Sequence, residues 1–564
     1  MKKVFYLSGV FFIFVYAQNP IIKAMKEEIK RCTKKLKIEN EPPPYFISYM
    51  LVERKGVSIS ASMGALISVD SFSKRYIAVD VRIGDYQFDS SPDFGEETGY
   101  FNETEGSEYM NVPVPLENAV DVLRHTLWQL TEKRYKRAIK RFAEKKGRRA
   151  REVKKRDVPD FSREPKVSYI GEIKTPQVNI SKWKEKLRKY SKLFKKYPWI
   201  IKSSVSFSCT AVNKYFVNSE GSTVVYGNLY YYLRIFASTK AEDGNWVKNL
   251  ESFFGWSEDE LPSDSIVIKK IEKLIDELLQ LKEAEALEAY SGPALILSPA
   301  SGVFMHEVLG HRVEAQRVES RGAGETFKDK LGKKVISPIF TVYDDPTLRY
   351  YKGQPLNGYY PYDDEGVKAR RVDIIKNGVL VNFLMSRKPI KGFLHSNGHG
   401  RAQMENAFWG NDTPYPRQGN FIVETSEPKK IGELKKMLIE EARKKKKPFG
   451  LIFVKSWGGA TYTGRWLMEA FQSQPIIVYK IDAETGEEKM VRGIKFGGTP
   501  LMSLDKVIAA GDDPKVFNGF CGAESGSIPV ALVAPSILLS EIEVTKTPET
   551  REKPPILPPP GGEK

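Results

Sequence analysis

Histidine and cysteine are scarce in this 564-residue chain, with five of the first and three of the second. Three cysteines cannot pair off completely, so a disulfide framework of the kind that staples small secreted domains is excluded. A chain of this length has core enough to do without one. Cys32 and Cys209 could pair or both stay free, and Cys521 stands apart in FNGFCGAESGSIP between Gly519 and Gly522. Long apolar runs are almost missing too. The one candidate, Val4 to Ala17 behind Lys2 and Lys3, is short of the roughly 20 residues a membrane-spanning helix needs. Residues 1–17 therefore read as an export signal cleaved after Ala17, which makes the mature chain extracytoplasmic, with an uncleaved N-terminal anchor as the alternative.

Acidic residues thin out in one stretch. Between Lys133 and Arg156 there are 14 Lys or Arg against only Glu144 and Glu152, a large share of the formal charge of +17. The segment continues a helical apolar pattern that starts near Leu116 and carries Leu123, Leu127 and Leu130, and it predicts a basic helical arm over about 116–157 that projects into solvent. No nucleic-acid motif accompanies the charge, so no nucleic-acid partner is expected. An exposed charged helix is the plain reading, and an anionic membrane surface is the alternative partner.

What is present is concentrated in SPASGVFMHEVLGHRVEA, Ser298 to Ala315, which holds two of the five histidines around a glutamate. His306, Glu307 and His311 read H-E-x-x-x-H, one residue longer than the helical H-E-x-x-H that sets two imidazoles on zinc beside a general base. Residues i and i+4 share a helix face, but i+5 has rotated away. Both rings can meet one ion only if the backbone leaves regular helix, through a π-bulge or a loosening at Gly310. Glu307 is then placed to take a proton from the water that zinc activates. Cys521, as a thiolate, and Glu314, three residues past His311, are the candidates for a third protein ligand, with Cys521 preferred.

Together with HEVLGH and FCGAESGSIPV, the stretches YPYDDEGVKARRVDIIKNGVLVNFLMSR, SNGHGRAQ, FVKSWGGATY, EAFQSQPIIVYKI and VRGIKFGGTPL resemble the TldD/PmbA metalloproteases from about Gly292 to Val544. The resemblance implies a peptidase with one zinc per chain on His306, His311 and Cys521, Glu307 as catalytic base, and membership of the active, TldD-like type. It also implies a dimer, with itself or with a related chain.

The fold class expected is α+β. An N-terminal mixed unit, 18–290, carries the basic helix. A β-rich unit, 291–545, forms a curved sheet or barrel with the metal helix at its mouth, and a Pro-rich tail follows from 546 to 564. The dipeptide Asn377-Gly378 predicts a tight hairpin turn. Gly458 and Gly459, after a strand, predict a place where an extended peptide lies as an added strand, and His399 in LHSNGHGRA is a further candidate for touching substrate. His395 shares that loop, and Asp363, Asp364 and Glu365 form an acidic cluster better suited to turn capping or a salt bridge than to calcium. The function expected is a zinc metallopeptidase of broad specificity on unfolded peptides. A binding or assembly protein with a structural zinc, and an amidohydrolase on a non-peptide substrate, are the alternatives.

Overall fold

The computed structural model describes residues 19–93, 114–151, 157–319, 327–403, 414–462 and 470–547, together with 555 and 557. The export signal, residues 152–156 of the basic arm and most of the tail lie outside the described residues. Among the described residues no helix is long and apolar enough to cross a membrane.

Helix α1 (Pro20–Lys35) starts on an Asn19 cap, whose side chain accepts from the backbone N–H of Ile21 and Ile22. Two long strands follow, β1 (Pro44–Ser62) and β2 (Ala65–Ile83), and then α2 (Val120–Ala150). Helix α3 (Ile180–Lys192) precedes β3 (Lys202–Asn218), β4 (Thr223–Lys240) and β5 (Trp246–Gly255), and α4 (Asp264–Glu283) closes this half. The strands pair antiparallel in the order β2-β1-β3-β4-β5, with the short strand Ser168–Ile170 running parallel beside β4. The strands are two-sided. Alternate residues such as Ile59, Phe207, Leu233 and Ile235 face α3 and α4, while Ile47, Tyr49 and Val217 face α1 and α2.

Here the expectation of a projecting basic arm is corrected. Leu123, Leu127, Leu130, Tyr135 and Ala138 of α2 are buried against α1 and the sheet, and so, farther along, is Lys145. Lys145 Nζ donates to Asp160 Oδ2 at 2.6 Å and to the Ser91 carbonyl at 2.7 Å. The charge-rich half of the helix is thus seated on acidic partners distant in sequence, and its outer face alone is solvated.

The second half opens with β6 (Tyr290–Ile296), which leads through Ser298 and Pro299 into α5 (Ala300–Val308). Beyond lie α6 (Ile431–Lys444) and strands β7 (Phe449–Tyr462), β8 (Ala470–Asp482), β9 (Ile494–Gly498), β10 (Lys515–Ala523), β11 (Gly526–Ala534) and β12 (Ile537–Lys546). Strand β6 pairs with β7, β7 with β8, β8 with β9, β9 with β12 and β12 with β6, so five strands close on themselves as a barrel. A separate six-stranded sheet carries β11 and has β10 at its edge. Its hairpin turn at Asn377 and Gly378 has φ of 48° and 78°, the left-handed pair that a two-residue turn requires.

Helix α5 lies between the barrel and this sheet. Phe304 meets Phe471 edge-on and stacks on Phe496, at ring-centroid distances of 5.5 and 5.7 Å, which seats the helix at the barrel mouth. All nine of its residues are buried.

Candidate metal centre and its cleft

The register problem of H-E-x-x-x-H is solved by ending the helix. Helix α5 stops at Val308, Leu309 leaves helical geometry at φ −120° and ψ −51°, and Gly310–Val313 form one tight 3₁₀ turn in place of a π-bulge. The turn brings His311 back beside His306, with ring centroids 4.5 Å apart. Cys521, near the end of edge strand β10, completes the group: its Sγ lies 3.4 Å from His311 Nε2, and the ligand atoms of His306, His311 and Cys521 all lie within 4.8 Å of one another. Two donors on one tetrahedral zinc at ordinary Zn–S and Zn–N lengths sit roughly 3.6 Å apart.

Each ligand is oriented by a partner. His306 Nδ1 is 2.8 Å from Gln418 Oε1, and His311 Nδ1 is 3.1 Å from Glu314 Oε2. With Nδ1–H donating, each ring turns Nε2 to the shared point. Glu314 thus stands behind His311, and Cys521 stands where it could supply a third donor. Gly310 has a second use, because a Cβ there would come within 2.4 Å of Gln418 Oε1. Arg417 donates to Cys521 at both Sγ, 3.2 Å, and the carbonyl, 2.7 Å. Burial alone would push the Cys521 thiol up, but His311, Arg417 and His306 outweigh it and hold it well below the ordinary value. Burial pulls the imidazoles down, yet Cys521 raises both, joined at His311 by Glu314. The protons on the rings are those a cation would displace, so the donor set fits zinc.

The Glu307 main chain is tied to β7 through Arg312. Arg312 donates to the Glu307 carbonyl at 2.6 Å and to Thr461 Oγ1 of β7 at 3.0 Å. Glu307 Oε2 is buried and has no hydrogen-bond partner among the described residues. Burial, the largest cause, raises its carboxyl above the usual range, with His306 and His311 opposing. A buried oxygen without a partner is costly in a finished fold and is what a base awaiting a proton donor looks like.

These groups line one cleft of about 1440 Å³ between the two halves of the chain. Its floor is the face of α5 bearing Ala300, Val303, His306 and Glu307, and its walls are the outer part of β7, Val454 to Tyr462, and β10. Past Lys455 the described partner of β7 is β8, and that of β10 is β11, so each strand offers an edge. Gly458 and Gly459 lie in the β7 wall. The pairing of β7 with β8 slips between Ser456 and Gly459, a bulge that turns Trp457 toward Phe236 and Lys248.

His399 does not reach the cleft, which corrects its assignment to substrate. It is fully buried, Nε2 is 3.1 Å from Asp344 Oδ1, and Nδ1 lies against Asn397. His395 is exposed on another surface near Glu164. Asp363, Asp364 and Glu365 are buried; Asp363 caps its own turn through the N–H groups of Glu365 and Val367, and Asp364 pairs with Lys214. Gln418 and Arg417 went unread in the sequence, because nothing in a PRQG segment more than a hundred positions from either ligand marks it as their support.

A family model described as the PmbA/TldA metallopeptidase C-terminal domain matches residues 291–546. A metalloprotease of Methanocaldococcus jannaschii is 29% identical over 330 residues, 58% of this chain and 66% of that protein. One of Archaeoglobus fulgidus is 33% identical over 273 residues, 48% of this chain and 57% of that protein. The chain thus spans less than two thirds of either relative. The crystal structure of TldE from Thermococcus kodakarensis superposes with a TM-score of 0.60 at 13% identity, covering 93% of this chain and all of that one, which shows the fold. Residues 291–546, which build the barrel, the His306–His311–Cys521 group and the cleft floor, are thus similar to the C-terminal domain of the PmbA/TldA metallopeptidases.

Proposed function

We propose that the chain is a zinc-dependent metallopeptidase that cleaves extended or unfolded peptides with broad specificity. The observation that carries this reading is Glu307. Among the described residues its Oε2 is buried without a partner beside a two-imidazole, one-thiolate donor group, and it faces an open cleft with strand edges on both walls. A structural zinc site has no use for such a carboxylate.

His306, His311 and Cys521 would hold the metal, which when bound supplies Lewis acidity to a carbonyl and brings a water's pKa down to about 7. Gln418 and Glu314 fix the two imidazole tautomers. Glu307, its carboxyl raised by burial, accepts the proton of the attacking water at Oε2 and returns it to the leaving amine. Arg312 ties the Glu307 main chain to β7 by donating to the Glu307 backbone carbonyl and to Thr461 Oγ1. The substrate lies extended between β7 and β10, where main-chain hydrogen bonds to an edge recognise any sequence that can be straightened. That mode of binding admits unfolded chains and excludes folded ones.

The test is zinc content and hydrolysis of a denatured peptide mixture by the purified chain and by Glu307→Gln. Zinc in both with cleavage by the first alone supports the reading. Zinc in both with cleavage in neither leaves the metal as a clip and removes the peptidase. Export rests on Lys2, Lys3 and the apolar run to Ala17, and we propose it on that basis; a mature chain beginning at Met1 would contradict cleavage. A dimer, with itself or a related chain, belongs to the same proposal and is read from the mass in solution.

A further inference from the structure

A second cavity, of about 430 Å³, adjoins the cleft on the far side of β10. Its floor is the first sheet, through Thr210 and Val212 of β3 and Tyr226, Asn228, Tyr230 and Tyr232 of β4. Its roof comes from the second half, chiefly Tyr359, Tyr360, Tyr362 and Pro529. Two residues, Arg234 and Phe520, line both this cavity and the catalytic cleft, so they stand at the boundary between the two spaces. Phe520 is 51% exposed although its ring lies 5.9 Å from that of Tyr232, and the Arg234 guanidinium sits 4.8 Å from the Tyr232 ring centre. An aromatic ring left half in solvent and tilted at 42° to another, with a guanidinium beside them, leaves ring surface open at the threshold.

The register of β10 links this ring pair to the reaction. Side chains alternate along a strand, so with Cys521 turned to His311, its neighbour Phe520 faces the opposite way, toward β4. A peptide added along the free edge of β10 alternates in the same manner. A substrate residue level with Phe520 sends its side chain over Tyr232 and Arg234 into the tyrosine-lined space, and Cα atoms of neighbouring residues are about 3.8 Å apart. That residue therefore sits beside the bond under attack. A cavity of this volume is in the range that holds a ring system with room to spare, and its walls are ring faces with a cation at the lip, the surroundings that favour an aromatic guest.

We propose that the tyrosine-lined cavity is a side-chain subsite of the substrate groove, entered past Phe520 and Arg234, that takes an aromatic residue next to the scissile bond. This preference rests on the peptidase reading and adds one selective position to otherwise main-chain recognition.

The test uses the full-length Glu307→Gln chain, so that binding is read without turnover. Peptides carrying Phe or Ala at a single central position are titrated by calorimetry. The Phe peptide should bind about tenfold more tightly, as expected from stacking on two rings. Thr210→Trp, which fills the cavity from its floor, should reduce that ratio to about one. If Thr210→Trp does not fold, Val212→Trp on the same wall replaces it. Equal binding of the two peptides, no binding of either, or a Phe preference that survives the filled cavity would overturn the proposal. So would tighter binding of an Asp peptide that Arg234→Gln abolishes, which would make the threshold an anion site. Failure of the peptidase reading is separate: it is absence of cleavage by the unsubstituted chain, whatever binds.

Discussion

A Cβ built on Gly459 would lie 2.5 Å from Glu307 Cγ and 2.7 Å from Oε1, so the bare backbone of β7 is the surface on which the carboxylate rests. The glycine read in the sequence as a docking place for peptide thus also makes room for the Glu307 side chain. Gly459→Ala should push Glu307 out of position without touching His306, His311 or Cys521. A displacement of about 1 Å at a reacting group costs roughly 100-fold in rate. The expected outcome is a loss of that order in kcat/KM with zinc content unchanged. Zinc lost in parallel with activity would mean that the substitution acts on the metal group instead.

Gln418 and Gly310 form a second pair of this kind. Gln418→Leu removes the acceptor on His306 Nδ1 and should weaken zinc binding about 10- to 100-fold. Gly310→Ala should do the same without altering a polar atom, since its Cβ would occupy the place of the Gln418 amide. Chelator competition measures both. An unchanged affinity in Gly310→Ala would show that the amide can shift and still hold the ring.

These supports explain how far the sequence could be read. His306, Glu307 and His311 stand in one six-residue motif, and Cys521 between its glycines has the chemistry of a fourth member, so the group was visible before folding. The break at Gly310 was visible as a need, because i+5 on a regular helix faces away, though the 3₁₀ turn that meets it depends on packing. Gln418 and Arg417 carry no such sign, since a glutamine beside an arginine becomes a ligand support only when a distant strand delivers it. His399 failed for the same reason: Asp344, 55 positions earlier, claims its Nε2. The hairpin at Asn377 and Gly378 is purely local and was fully legible.

Glu365 ties stability to pH. It is buried, and burial lifts its carboxyl to about 7 although Arg387 and Arg82 oppose the rise. Its Oε2 accepts from the Arg387 backbone N–H at 2.6 Å, and Asp363 is raised beside it. A folded value above the unfolded one means that the folded chain holds the proton more tightly. The stabilisation is therefore complete below about pH 4.5 and is lost as pH rises through about 7. Glu365→Gln keeps the acceptor oxygen and cannot ionise. Relative to the unsubstituted chain it should gain on the order of 3 kcal/mol between pH 4.5 and 8, with most of the change before pH 7. Urea unfolding of both proteins across that range measures the difference, and parallel curves would contradict the assignment.

Lys145 separates the buried and solvated faces of α2. Its Nζ is 2.6 Å from Asp160, and 3.8 and 3.9 Å from Asp93 and Asp89, with side-chain exposure of 1%. Lys145→Met takes the buried cation from Asp160 while Arg82 and Arg149 stay on Asp89 and Asp93, and breaking a buried ion group in this way costs about 3–5 kcal/mol. Lys136, two and a half turns earlier on the same helix, is 61% exposed and among the described residues pairs with Glu132. Lys136→Ala should cost a few tenths of a kcal/mol, about what an i,i+4 pair contributes. Unfolding free energies of the two variants test the seated helix directly. A projecting arm would lose as little from either substitution, whereas a helix anchored through Lys145 loses far more from one than from the other.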